Sequence, residues 1–435
     1  MVDRLAQTIV APITAVGGAV AVVRVCGPAA YRVAAAVFTP WPTVVEARRA
    51  VYGAFSHGDD GLVLPFSAGS SYTGEETVEM SVHGSAASVA ALVEACCQAG
   101  ARMAEPGEFT LRAFLNGRLD LTQAEGVRAL VEAQSQSALR QGRLLREGRL
   151  SQMCVALRHE VLGQLAAVEA STDFGEEVGE LDREGLANRI LESVGRIEDL
   201  LATAQASRLA HTGMSVVLAG RPNAGKSSLF NALLQADRAI VTPVPGTTRD
   251  TLHESVQISG VLVRLIDTAG LRESDDLVEA IGVSRTRETV ADADLVLYIY
   301  DASLGLTSED AATFAAIGRP KQLIANKCDL EHVAGPGLPV SAATGQGVST
   351  VIELIAAHAG SAAGEQPFVL PRHVPLLEQA QRALMEVVAT LRSPVPDDLA
   401  AVGLRSAARA LGEVTGETAT PDVVDRIFHD FCIGK

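Results

Sequence analysis

Aromatic residues make up only 4% of the 435-residue chain, with a single tryptophan, so its cores have to be built from Ala, Val and Leu. The six cysteines, Cys26, Cys96, Cys97, Cys154, Cys328 and Cys432, are scattered, and none forms a CxxC pair with zinc spacing. That argues against a disulfide framework or structural zinc and points to a reducing cytosol. Basic residues are in deficit, 36 Lys and Arg against 52 Asp and Glu, for a net charge of −16. Such a chain does not coat nucleic acid or anionic lipid through its bulk charge, which leaves room only for a local basic patch.

Long apolar runs are missing too. The longest, Thr8 to Val23, carries Pro12, Gly17 and Gly18 and falls short of the ~20 residues of a membrane helix. Asp3 and Arg4 cancel, so the cationic start of a signal peptide is absent. Two strands joined at the glycines fit this run better. With 48% hydrophobic and 20% charged residues, wholesale disorder is excluded. At roughly 100–200 residues per domain the length implies two to four domains.

Three textures follow one another. The first mixes Val-rich runs (Ala19 to Val25, Gly61 to Phe66, Glu76 to Val82) with a helical pattern from Ala86 to Gln98, an α+β arrangement. No proline occurs between Pro106 and Pro222, and Leu157, Val161, Leu165 and Val168 recur at helical spacing. This stretch reads as several helices, broken near Gly148 and at Phe174-Gly175. From Met214 to about Ala359, apolar strands (Val216 to Ala219, Val261 to Ile266, Leu295 to Tyr300, Gln322 to Ala325) alternate with helices, which means βαβ units and a doubly wound sheet. Residues 359–364 look like a linker. Helical texture then returns: Leu377, Ala380, Leu384, Val387, Val388 and Leu391 make one stripe, and Thr420-Pro421 is a helix start. The expected architecture is multidomain, with an α+β N-terminal domain and an all-α domain made of two chain segments. An α/β P-loop domain is inserted between those segments.

Gly220-Arg-Pro-Asn-Ala-Gly-Lys226-Ser227 follows a strand and opens a helix, as a phosphate-binding loop requires. Residues Asn223, Ala224, Gly225, Lys226, Ser227 and Ser228 would surround the phosphates. Lys226 would reach the β- and γ-phosphates, and Ser227 would ligate Mg²⁺. Asp267-Thr268-Ala269-Gly270, about 40 residues on, supplies a carboxylate for the Mg²⁺ water shell and a glycine that senses the γ-phosphate. In Gly246-Thr247-Thr248-Arg249-Asp250, Thr248 is the natural second hydroxyl ligand for Mg²⁺. Asn326-Lys327-Cys328-Asp329 follows another strand. The Asp329 carboxylate can accept from guanine N1–H and its exocyclic amine, which adenine cannot offer. Lys327 packs over the ring, Asn326 braces the loop, and Ser341-Ala342 suits a further base contact. Together these elements resemble the G domain of translation-factor-class GTPases. Leu271 stands where a Ras-type enzyme has its water-orienting glutamine.

The flanks carry a more specific likeness. Gln7-Thr8-Ile9-Val10-Ala11, Val23-Arg24-Val25-Cys26-Gly27, Tyr72-Thr73-Gly74-Glu75-Glu76-Thr77-Val78-Glu79 and His83-Gly84 are the first of its motifs. Pro106-Gly107-Glu108-Phe109-Thr110, Arg112-Ala113-Phe114-Leu115-Asn116, Leu119-Asp120-Leu121-Thr122-Gln123-Ala124-Glu125 and Phe431-Cys432-Ile433-Gly434-Lys435 complete the set. Over essentially its whole length the chain resembles the MnmE (TrmE) family of tRNA modification GTPases.

The resemblance implies residues 1–118 as a dimerising domain that binds 5-formyl- or 5,10-methylene-tetrahydrofolate. It implies 119–211 and 363–435 as the helical domain and 212–362 as the GTPase domain. The positions matching the folate pocket are Arg24, Glu79, Arg118 and Lys435. Arg118 stands where the family usually has lysine, and Ala15-Val16-Gly17-Gly18 replaces its Gly-Arg-Gly-Gly turn. Cys432 reads either as a thiol near the folate or as a small residue packed at a helix end.

The resemblance also implies that a K⁺ ion assists hydrolysis while two G domains pair. Asn223 matches the K⁺-ligating asparagine, and Thr242, Val244 and Thr247 match the loop that completes the shell. Glu279 matches the acid that positions the attacking water, so Glu279, Lys226 and Thr248 are the expected catalytic residues. Ala280 replaces an arginine beside it.

The implied activity is GTP hydrolysis coupled to installing an aminomethyl-type group at C5 of the wobble uridine of tRNA. The implied assembly is a cytoplasmic homodimer that forms a heterotetramer with the FAD-containing MnmG (GidA). The alternative is a ribosome-assembly or regulatory GTPase of the Era-like class, which a KH-type domain would support; nothing after the G domain supplies one. A membrane-remodelling GTPase would need a membrane helix or a basic amphipathic stretch, and neither is apparent.

Overall fold

Short Val-rich runs punctuated by glycine build the first sheet. The computed structural model describes residues 6–174, 177, 179–236, 253–267, 290–331, 335–359 and 369–434. The chain divides into two compact units, residues 1–128, 145–197 and 376–435 in one, and 129–144 with 198–375 in the other.

In the first unit, β1 (Ile9–Pro12), β2 (Val20–Cys26), β3 (Phe38–Thr39), β4 (Val51–Phe55), β5 (Asp60–Phe66), β6 (Thr77–His83) and β7 (Arg102–Met103) form one seven-stranded sheet of order β3-β4-β5-β6-β2-β1-β7. The apolar run from Thr8 is two antiparallel strands, as the glycines suggest, with Ile9 opposite Cys26. Helices α1 (Ala30–Val37) and α2 (Ala86–Gln98) cover one face. Strand alternation sends Val23, Val25, Val63 and Met80 into that core and leaves Arg24 and Glu79 on the other face. The sequence reading misses α1 and β4. The apolar pattern of β4 is interrupted by Gly53, where a Cβ would lie 2.4 Å from the Thr39 carbonyl.

The helical part draws on both chain segments. It contains α3 (Glu108–Leu115), α4 (Leu121–Glu132), α5 (Gln136–Arg146), α6 (Arg149–Asp173) and α7 (Arg183–Ala202) before the α/β unit. Helices α12 (His373–Leu391), α13 (Asp398–Thr415) and α14 (Pro421–His429) come after it. Gly148, at φ 78, caps the start of α6, and Pro421 opens α14. Helices α6 and α13 pack along each other, burying Leu157, Val161 and Val168 and the alanine-rich stripe of Ala400, Leu404, Ala407 and Leu411. Arg183 stitches the segments, donating to Asp397 at 2.7 Å and to the Ser393 carbonyl at 2.8 Å.

One expectation is corrected. Helix α5 is a basic amphipathic helix: Arg140, Arg143 and Arg146 are exposed, while Ala138, Leu144 and Leu145 are buried. Gln141 and Gly142 interrupt the apolar pattern and hide it from a periodicity argument, although both face inward. Its apolar side is already used by the protein, so it is not a surface for lipid. Among the described residues no helix is long and apolar enough to cross a membrane.

The second unit holds β8 (Met214–Ala219), β9 (His253–Ile258), β10 (Val261–Asp267), β11 (Leu295–Asp301), β12 (Lys321–Asn326) and β13 (Leu338–Val340), in the order β13-β12-β11-β8-β10-β9. All pairings are parallel except β9 with β10. Helices α8 (Ala204–Thr212), α9 (Lys226–Ala236), α10 (Ser308–Ala316) and α11 (Val348–Ala359) belong to it, as does most of α5. Val216 and Leu218 enter one core and Val217 and Ala219 the other, so the sheet is buried on both faces. Strand β9 escapes a search for apolar runs because His-Glu-Ser-Val-Gln-Ile holds only two apolar residues, Val256 and Ile258, separated by a glutamine, as suits an edge strand.

Candidate functional site

Parallel strands deliver their C-terminal ends to one edge of the sheet, where open α/β sheets bind ligands. Gly220 follows β8, Asp267 ends β10, Asp301 ends β11, Asn326 ends β12 and Ser341 follows β13. The phosphate loop turns tightly at Gly220 (φ 143) and Gly225 (φ 90). A Cβ on the first would meet the Ile299 carbonyl at 2.1 Å, and on the second the Asn326 amide nitrogen at 2.1 Å. Only glycine lets the backbone pass so close to its neighbours. Asn223 adopts φ 63, a left-handed conformation asparagine tolerates, and its side chain is exposed.

Lys226 opens α9 with its stem buried, and its ammonium donates to the carbonyls of Gly220 at 3.0 Å and Arg221 at 2.8 Å. The charge therefore sits inside the loop at a helix N-terminus, an anion-binding arrangement. Ser227 and Ser228 are exposed on the first turn. The Ser227 hydroxyl donates to Asp267 at 2.7 Å, putting a hydroxyl and a carboxylate side by side. Hard oxygen donors of this kind suit Mg²⁺ and its water shell.

The opposite end of the site is tied to the first. The Asn326 amide donates to the Ala224 carbonyl at 2.9 Å and accepts from the Ala342 N–H at 3.1 Å. One buried side chain thus joins the phosphate loop, the 326–329 loop and the 341–342 turn. Ser341 is fully buried and accepts from the Thr344 N–H, while Ala342 is half-buried. Lys327 leaves β12 at φ 66, and its ammonium lies 2.5 Å from the Asp301 carboxylate. Burial works against ionising Asp301, yet Lys327 and Ser303 hold its carboxyl below the usual range. Asp329 is exposed on the loop beyond. Asp301 is absent from the sequence-derived set because Tyr300-Asp301-Ala302 reads as an ordinary strand end.

A second group lies on the outer face of the first sheet. Arg24 and Glu79 are direct cross-strand partners, and the guanidinium donates to one carboxylate oxygen from Nη2 at 2.7 Å and from Nε at 3.0 Å. The same guanidinium sits 5.2 Å from the ring centres of both Tyr72 and Phe109, cation–π contacts that help hold it in place. Arg118 is exposed, its stem lying over Gly74. Beneath this group runs a buried ionic chain. Arg102 pairs with Glu108 at 2.6 Å, Arg112 bridges Glu108 and Glu75 at 3.0 Å each, and the Cys26 thiol donates to Glu75 at 3.0 Å. Burial, aided by the Glu75 charge, pushes the Cys26 thiol up to about 12, so it is a packing group and not a thiolate. Cys432 is exposed, and its carbonyl accepts from the Gly107 N–H.

Several expected site residues lie outside the described residues: Thr242, Val244, Thr247 and Thr248 of the first loop, Gly270 and Glu279 of the second, and Lys435.

Two family models match the chain. Residues 8–118 match the N-terminus of the GTP-binding protein TrmE, and residues 121–432 match the MnmE helical domain. Among curated relatives, "tRNA modification GTPase MnmE" of Symbiobacterium thermophilum is 43% identical over 454 residues, covering 99% of each chain. The protein of that name from Acaryochloris marina is 42% identical over 438 residues, covering 96% of each. Among solved structures, the G domain of the T. maritima FeoB iron transporter is 27% identical, covering 34% of this chain and 98% of its own, with a TM-score of 0.25.

Proposed function

The chain belongs to the MnmE family of tRNA modification GTPases, and we propose that it spends GTP hydrolysis on building an aminomethyl-type group at C5 of the tRNA wobble uridine. The observation that carries the nucleotide half is the meeting, at one sheet edge, of Lys226, the Ser227–Asp267 pair, and the Asn326 strut beneath Lys327 and Asp329. Lys226 neutralises phosphate charge, Asp329 reads guanine, and Lys327 covers the base. Ser227 and Thr248 would hold Mg²⁺, which spreads the charge of the transferred phosphoryl group when bound. Asn223, on the exposed side of the loop, suits a K⁺ ligand, with Thr242, Val244 and Thr247 completing the shell and Glu279 positioning the attacking water. An Era-like role is set aside, because relatives named MnmE match over 96–99% of both chains.

The one-carbon unit comes from a tetrahydrofolate bound beside Arg24, Glu79, Arg118 and Lys435. Arg24 is held against two aromatic rings, and its forked N–H edge suits hydrogen bonding to a flat heterocycle. Because Arg24 and Glu79 pair with each other, they act as one unit. Titration calorimetry of the full chain with 5-formyltetrahydrofolate is expected to show a loss of about 1.5–3 kcal/mol for Arg24→Ala. Glu79→Ala is expected to add little to that loss in the double variant. Wild-type affinity in the double variant would remove the pocket from this face.

The same sheet face leaves Val20, Tyr52 and Leu62 exposed, which suits cover by a second copy and supports the homodimer. MnmG supplies the flavin in a heterotetramer, in the cytoplasm. A tRNA partner needs basic surface on an acidic chain, and α5 offers Arg140, Arg143 and Arg146 at three-residue intervals with no acidic residue from Ala133 to Arg146. Reversing Arg140 and Arg143 to glutamate is expected to weaken tRNA binding at least tenfold. The slope of log K against log salt should fall by about 1.4–1.8, the release of two phosphate counterions. An unchanged slope would take α5 out of the tRNA surface.

A further inference from the structure

Lys327 is the member of the base-binding loop with the least intrinsic reason to stay in place. It is a four-rotor side chain at φ 66, a left-handed conformation that a residue with a Cβ keeps only where its surroundings impose it. The structure supplies that constraint from the neighbouring strand. Asp301, the last residue of β11, is the parallel register partner of Asn326, and the Ala302 N–H donates to the Asn326 carbonyl at 2.8 Å. This backbone link carries the Asp301 side chain under Lys327, where one carboxylate oxygen takes the ammonium at 2.5 Å. The other oxygen accepts from the Ser303 hydroxyl at 2.6 Å and the Ser303 N–H at 3.0 Å, which fixes the carboxylate plane. The pair is largely withdrawn from water, with Asp301 14% and Lys327 33% exposed, so it is screened less than a surface ion pair. An ammonium anchored there leaves the methylene stem spanning the mouth of the loop instead of sweeping through solvent.

We propose that Asp301 is a positioning residue for base recognition: it clamps Lys327 so that the lysine stem forms one wall of the purine slot, with Ser303 orienting the clamp. This deepens the reading of residues 326–329 as the guanine loop and rests on it. The clamp acts on the face of the purine and leaves the reading of its edge to Asp329. It therefore contributes equally to every purine nucleotide and nothing to a ligand without a base.

The test is a set of affinities on the full chain for GTP, for ITP (which lacks the exocyclic amine) and for inorganic tripolyphosphate, the last by competition. Asp301→Asn is expected to lose about tenfold in affinity for GTP and ITP alike, with tripolyphosphate unmoved. The same variant should raise KM for GTP about tenfold with little change in kcat. Asp301→Glu is expected to recover part of the loss, and Lys327→Ala to lose as much as Asp301→Asn, with no further loss in the double variant. An equal loss for tripolyphosphate would mean that Asp301 merely supports the fold of the phosphate side, and would overturn the proposal. So would normal GTP affinity in Asp301→Asn when Lys327→Ala is impaired. Normal GTP affinity in both variants would overturn the clamp together with the guanine-loop reading beneath it.

Discussion

GTP affinity is expected to fall by about two to four orders of magnitude on exchanging Asp329 for asparagine, with binding of XTP appearing in its place. In the proposed base site the carboxylate would face two guanine donors, N1–H and the exocyclic amine, and each charge-assisted hydrogen bond is worth about 1.5–3 kcal/mol. Losing one bond outright, with the charge assistance of the other, approaches the worth of both, about 3–6 kcal/mol, and each 1.4 kcal/mol is tenfold in affinity. Asparagine turns one acceptor into an amide donor, which the carbonyl of xanthine satisfies and the amine of guanine opposes. The exchange is clean because Asp329 is exposed and the loop is braced elsewhere, by Asn326 to the phosphate loop and by Lys327 to Asp301. Parallel titrations with GTP and XTP measure it. Retained GTP affinity without a gain for XTP would assign guanine recognition to other residues.

Replacing K⁺ by Na⁺ is expected to slow GTP turnover about a hundredfold at saturating nucleotide, the scale of one preorganised electrostatic contact to a transition state. Leu271 offers no amide to orient water, and in the proposed mechanism an added cation would carry part of the developing charge. Asn223 stands on the exposed shoulder of the phosphate loop at φ 63, where it can turn its amide oxygen to a cation without strain elsewhere. Asn223→Gly keeps that backbone conformation and removes the oxygen; Asn223→Ala removes the oxygen and strains the loop. Both are expected to level the rates in the two salts, and agreement between them separates ligation from loop distortion. Equal rates in K⁺ and Na⁺ for the unaltered protein would remove the ion from the mechanism and leave the nucleotide site intact.

Much of the architecture was legible because its signals are local. Gly220 to Ser227 announces itself, since a glycine-tight turn between strand and helix constrains several consecutive residues at once. The helix Ala86–Gln98 and the start at Thr420-Pro421 were readable for the same reason. What was hidden depends on partners distant in sequence. Asp301 acquires its role only because β11 pairs with β12 in a register that sets it beside Asn326. Tyr72 and Phe109 come to lie against Arg24 through contacts no spacing rule predicts. The basic face of α5 was obscured by Gln141 and Gly142, polar and small residues that nevertheless face inward.

The two-segment construction of the helical core sets a timetable for synthesis. Helix α6 ends at Asp173 and its packing partner α13 begins at Asp398, so roughly 220 residues separate them. At 5–20 residues per second a ribosome takes about 10–45 s to cover that distance. The α/β unit lies almost wholly within that interval and has everything it needs to close its sheet meanwhile. Helix α6, by contrast, has α7 beside it, with Arg196 on Glu160, but still lacks its α13 partner. The nascent chain thus carries a GTPase module made in full beside a helical core that closes only when the last segment of the chain arrives.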